Sequence, residues 1–152
     1  MKIYGVDFTS APRRGKAIVV AEGVLASSVV QITYIEKLET FNAFEALLRR
    51  PGPWIGGFDF PFGLPRELVR DLGWPRQWRA LANFCGDLTR AELRGILDGY
   101  RATRAAGNKY AHRATDLPAG SSSPMKLVNP PVALMFQEGA PRLADAGVYI
   151  PG

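Results

Sequence analysis

Asp7 and Asp59 are the residues whose type and spacing best suit them to chemistry. Each closes an apolar run of strand character, Ile-Tyr-Gly-Val-Asp-Phe over 3–8 and Trp-Ile-Gly-Gly-Phe-Asp-Phe over 54–60. Each is followed at once by phenylalanine. A charge among residues bound for a core is costly unless something compensates it. If the two runs lie side by side and parallel, a strand spacing of about 4.8 Å lets both carboxylates reach one point at the sheet's end. Such a pair repels itself. A hard divalent cation, Mg²⁺ or Mn²⁺, is its natural complement. A cation held in this way activates water and stabilises a leaving phosphate oxygen. Either aspartate alone is as readily read as a loop cap accepting backbone N–H groups. The repetition of the pattern at matched positions favours the paired site.

The elements that must position the pair follow from periodicity. Strand character is expected over 2–8, 16–22, 28–36 and 54–60. The first run is mostly apolar and reads as buried on both faces. Gly23 marks a break after the second. Short connections make the first three strands an antiparallel meander. Thr40 then caps a helix whose Phe41, Phe44, Leu47 and Leu48 recur at helical spacing, stopped by Pro51-Gly52. A strand reached through a crossover helix joins parallel to an earlier one, which sets the fourth strand beside the first. The expected fold is therefore α/β with a mixed sheet, as one domain.

After Pro61 the chain turns helical and basic. Helices are expected from Pro65, from Pro75 and from the capping box Thr89-Arg-Ala-Glu92 through about Arg104. Residues 105–124 read as a long loop of the mobile kind, and 132–138 as a last helix. Residues 65–113 hold ten Lys and Arg against five Asp and Glu, a surplus equal to the +5 of the whole chain. Arg90, Arg94, Arg101 and Arg104 fall on one face of their helix. Fourteen of the nineteen cations are arginine, which favours bidentate contact with phosphate or carboxylate. A nucleic-acid partner fits this segment, and so does a solvated surface. No apolar window is long enough to span a membrane. One cysteine, Cys85, excludes an internal disulfide and fits a cytoplasmic location. One histidine with one cysteine argues against structural zinc. The chain closes on Val-Tyr-Ile-Pro-Gly as another strand-like run begins, so a C-terminal part beyond residue 152 is expected.

The β-β-β-α-β order with an acid on the first strand resembles the ribonuclease H-like superfamily. More narrowly, Gly-Val-Asp-Phe-Thr-Ser-Ala-Pro (5–12) and Gly-Gly-Phe-Asp-Phe-Pro-Phe-Gly-Leu-Pro (56–65) resemble the bacterial and archaeal family called domain of unknown function 429. His-Arg-Ala-Thr-Asp (112–116) and the stretch 123–143 are similar to it as well. The resemblance covers most of the chain and implies a nuclease by fold analogy. It makes Asp7 and Asp59 the metal-binding carboxylates and places a further acid beyond residue 152. Asp116, Glu138 and Glu45 are the acids within the chain that could complete the set.

The expected function is Mg²⁺- or Mn²⁺-dependent hydrolysis of nucleic-acid phosphodiester bonds. Asp7, Asp59 and Asp116 are the catalytic candidates. Thr9, Ser10, Arg94, Arg101, His112, Arg113 and Lys126 are the candidates for holding substrate. His112 is the one histidine and could act as base or phosphate contact; a surface loop residue is the plainer reading. Two other classes compete: an actin-like ATP-dependent phosphotransferase, and an inactive module that holds nucleic acid through its arginines. Nucleotide-induced stabilisation would mark the first. Salt-sensitive binding indifferent to loss of the aspartates would mark the second.

Overall fold

The computed structural model describes residues 1–151. The chain forms two compact units, Met1–Phe60 together with the residues from Ala146 on, and Pro61–Asp145. The first holds β1 (Lys2–Asp7), β2 (Ile18–Ala26), β3 (Val29–Leu38), α1 (Phe41–Leu48) and β4 (Trp54–Phe58). The sheet order is β3-β2-β1-β4. The pairs β1–β2 and β2–β3 are antiparallel, and β1 runs parallel to β4. The mixed sheet expected from the sequence is the one observed. Residues 148–150, expected to begin a strand, pair with none.

β1 is not buried on both faces. Tyr4, Val6 and Phe8 are buried while Gly5 and Asp7 are exposed. A strand's side chains alternate between faces, and α1 supplies apolar partners to only one of them. Thr40 caps α1 by accepting the Ala43 N–H at 3.2 Å. The helix buries Phe44, Leu47 and Leu48. Phe44 meets Phe8 at 5.1 Å between ring centroids and Phe58 at 6.1 Å, and Phe8 meets Phe60 at 4.8 Å. Offset and edge-on rings at these distances attract beyond simple burial.

The second strand also differs from expectation. It runs through Gly23 to Ala26, because Gly23 carries a bulge and not a break. Glu22 pairs with Tyr34 but Gly23 pairs with Ile32, leaving Thr33 as the extra residue. Thr33 donates its hydroxyl to the Glu22 carbonyl at 3.1 Å. A Cβ on residue 23 would stand 2.9 Å from the Gln31 carbonyl oxygen, so only glycine lets the strands close there.

The second unit is helical: α2 (Arg66–Asp71), α3 (Trp78–Asp87), α4 (Arg90–Thr103), α5 (Asp116–Ala119) and α6 (Val132–Ala146), whose last residue falls in the first unit. The Thr89–Glu92 capping box opens α4 as the sequence predicts. Leu68, Leu81, Cys85, Leu97, Leu134 and Phe136 belong to its core. Helix α6 outruns its expected end at 138 and carries Pro141 inside it. An internal proline costs about 3 kcal/mol. Ala140, Leu143 and Ala144, all buried, continue the apolar stripe of Phe136 and offset that cost. Gln137 donates to the carbonyls of Cys85 at 3.2 Å and Leu88 at 2.7 Å, satisfying the end of α3.

The stretch 105–124 is not a free loop. Asp116, Ser123 and Met125 are buried. Ser123 donates its hydroxyl to the Ala111 carbonyl at 2.5 Å and accepts the Met125 N–H at 3.1 Å.

Candidate functional site

The register of the parallel pair brings Asp7 and Asp59 together. Val6 stands opposite Phe58. The Asp59 N–H donates to the Val6 carbonyl at 2.9 Å, the last bond of that pair, so Asp59 follows directly on the end of β4 as Asp7 follows Val6 on β1. The phenylalanines explain why both acids share a face. Phe8 and Phe60 are buried against one another on the α1 side. Alternation then turns Asp7 and Asp59, one residue earlier, to the opposite side of the sheet. The repeated Asp-Phe is thus one structural device used twice: the ring anchors the strand end and the carboxylate is presented to solvent.

Beneath the acids on the same face lie Gly5 and Gly57, themselves partners in the ladder. Nothing stands within 4 Å of where a Cβ on either would be. The carboxylates therefore overlook bare backbone and open space. Gly5 and Gly57 were not among the sequence candidates, yet each lies two residues before its aspartate, and a period of two puts them on the same face.

No hydrogen bond or ion pair reaches either carboxylate among the described residues. Across the sheet the row continues from Asp7 to Val19 and Lys37. Lys37 is two strands from Asp7, about 10 Å at ordinary strand spacing. Water screens a charge at that distance heavily. The pair is therefore not neutralised by its own protein. Its oxygen donors suit Mg²⁺ or Mn²⁺, since Mg²⁺ commonly takes one or two carboxylates, waters and substrate phosphate oxygens. No group of three or more His, Cys, Asp or Glu is gathered for a metal among the described residues.

The other candidates have visible occupations. Thr9 and Ser10 are buried, and the Thr9 hydroxyl accepts the Ala11 N–H at 3.4 Å, which shapes the turn after β1. Glu45 on α1 faces Arg49 at 3.9 Å. In the second unit, Asp116 is fully buried. It accepts the Arg113 N–H at 2.7 Å, the Arg113 Nε–H at 2.9 Å and the Ser121 hydroxyl at 3.2 Å. Burial pushes its carboxyl up, but Arg113 and Ser121 outweigh that and hold it below the usual aspartate range. A carboxylate so enclosed organises its loop. His112 is exposed, with Nδ1 3.9 Å from Asp116.

The arginine face of α4 is largely engaged. Arg90 pairs with Glu138 at 3.0 Å. Arg101 pairs with Asp98 at 3.0 Å and covers the Tyr110 ring at 4.9 Å. Arg104 pairs with Glu67 at 3.0 Å and donates to the Tyr100 hydroxyl at 2.9 Å. Arg94 and Lys126 are half-buried. Glu138, a spare acid by sequence, is held by Arg90 and by Arg142 at 2.9 Å. The structure therefore brings together Asp7 and Asp59, and sets Asp116, Arg113 and His112 together in the second unit. No family model, curated protein or solved structure matches this chain.

Proposed function

We propose that the protein is a nuclease of ribonuclease H-like fold, hydrolysing phosphodiester bonds with a divalent cation held by Asp7 and Asp59. One observation carries this reading. Two exposed carboxylates, unneutralised by their own protein, stand side by side at the carboxyl ends of parallel strands, over a floor of glycine backbone. Open α/β sheets bind ligands outside the carboxyl ends of their strands. The order β3-β2-β1-β4, with a helix between β3 and β4, supports the ribonuclease H-like assignment and the kinship with domain of unknown function 429 drawn from 5–12 and 56–65.

Asp7 and Asp59 are the residues that would hold Mg²⁺ or Mn²⁺. When bound, the cation supplies charge for the phosphate oxygens and lowers the pKa of water. The protein's part is preorganisation. The ladder bond from Asp59 to Val6 and the packing of Phe8 on Phe60 fix both strand ends before substrate arrives. The empty space over Gly5 and Gly57 leaves room for a phosphate group near the acids.

Calorimetric titration of Mn²⁺ into the native chain and into Asp7→Asn and Asp59→Asn tests the reading. Binding by the native chain, weakened at least about tenfold in either variant, is the expected result. Cleavage of a labelled single- or double-stranded substrate should then vanish in both variants with the fold intact. Mn²⁺ binding unchanged by both substitutions would refute the assignment.

A further inference from the structure

The second unit contains a cleft of about 680 Å³ that the carboxylate pair does not involve. Arg66, Arg70 and Arg76 line it, with Leu64, Trp78 and Leu81 among its apolar walls. Its volume falls within the range of about 300–1,000 Å³ common to small-molecule sites.

The charges do not balance. No acidic residue lines the cleft among the described residues. Arg70 is paired with Asp71 at 2.8 Å. The nearby Glu67 is taken by Arg104. Neither Arg66 nor Arg76 has an ion pair or side-chain hydrogen bond among the described residues, and both are exposed. Two guanidinium groups without partners among the described residues line one opening and offer donors suited to phosphate oxygens.

The apolar wall sets the second requirement. The Trp78 indole N–H already donates to the Phe62 carbonyl. A ligand therefore meets Trp78 as apolar ring surface, and Leu64 and Leu81 extend it. Nucleobases of any kind stack on such a ring, because every base has a π-face. A bare phosphate would leave this wall in water, and an uncharged ring would leave the arginines unanswered.

We propose that this cleft binds a nucleotide phosphomonoester, its phosphate on Arg66 and Arg76 and its base against Trp78. A free mononucleotide and the 5′-phosphorylated end of a strand present the same chemistry. The site is independent of Asp7 and Asp59 and requires no metal.

The test is calorimetry in EDTA with the full chain, using GMP, guanosine, inorganic phosphate, and one short single strand with and without a 5′-phosphate. GMP should bind at least about tenfold more tightly than guanosine or phosphate alone. Arg66→Ala and Arg76→Ala should each weaken binding about tenfold, as expected for one charged hydrogen bond. Both are exposed, and an unshifted melting curve would verify the fold. Trp78→Phe, which keeps a ring, should bind more weakly than the native chain but better than either arginine variant. Selective binding of the 5′-phosphorylated strand in place of GMP would assign the site to strand ends. Binding of neither, or binding indifferent to both arginines, would overturn the proposal. Because EDTA removes divalent ions, failure here leaves the Mn²⁺ result at Asp7 and Asp59 standing, and the reverse.

Discussion

At the scale of single residues, the two kinds of aspartate are distinguished by what surrounds them. Asp7 and Asp59 are adjacent, exposed and without partners among the described residues, so their mutual repulsion is a standing cost. Asp7→Asn and Asp59→Asn should each raise the melting temperature slightly in EDTA and, without EDTA, weaken Mn²⁺ binding at least about tenfold. Loop-capping aspartates would behave oppositely, losing stability on the same change. Asp116 is the reverse case. Its carboxylate is fully buried and paired with Arg113. Asp116→Ala strands that guanidinium and should destabilise by about 3 kcal/mol, measured by denaturant unfolding. Its carboxyl is depressed below 3.8, the ordinary value. The stabilisation it contributes is therefore complete above about pH 3.8 and lost as pH falls through the lower folded-state value. An acid-unfolding curve of the native chain should contain this component, and that of Asp116→Ala should lack it.

At the scale of elements, the bulge and the capping box set boundaries that side-chain character alone leaves open. Gly23→Val should destabilise by about 2 kcal/mol or more, since a Cβ would press to 2.9 Å on the Gln31 carbonyl. Thr89→Ala removes the hydroxyl that accepts the Glu92 N–H at 3.2 Å and should cost about 1 kcal/mol. Chemical denaturation checks both. The capping box was legible because Thr and Glu three apart is a local signal. The bulge was not, because Gly23 in isolation reads the same whether a strand stops or bends. Pro141 likewise carries a local preference that the fold overrides. Its local preference ends a helix, and the buried stripe through Phe136, Ala140 and Leu143 overrides it.

At the scale of the whole molecule, the sheet unit carries Asp7 and Asp59, and the helical unit carries the arginines of α4. Cys85 reports on the second. It is fully buried in that unit's core, and burial pushes its thiol up to about 12. Thiol-specific reagents at pH 8 should not label it until the helical unit unfolds. Labelling followed along a denaturant series, beside far-ultraviolet circular dichroism, would establish whether the units melt together. The sequence by itself determined the mixed sheet, the crossover helix and the pairing of Asp7 with Asp59. Those rest on period-two and period-3.6 patterns and on two matching Asp-Phe strand ends, all read from neighbours in the chain. Only the tertiary structure decided that Arg90 and Arg104 are engaged within the unit, and that Arg66 and Arg76 stand over a cleft without partners among the described residues. The physical reason is range. A cation's freedom to meet a ligand depends on which carboxylates the fold brings within about 4 Å, and Glu67 and Glu138 lie 37 and 48 residues along the chain from the arginines they hold.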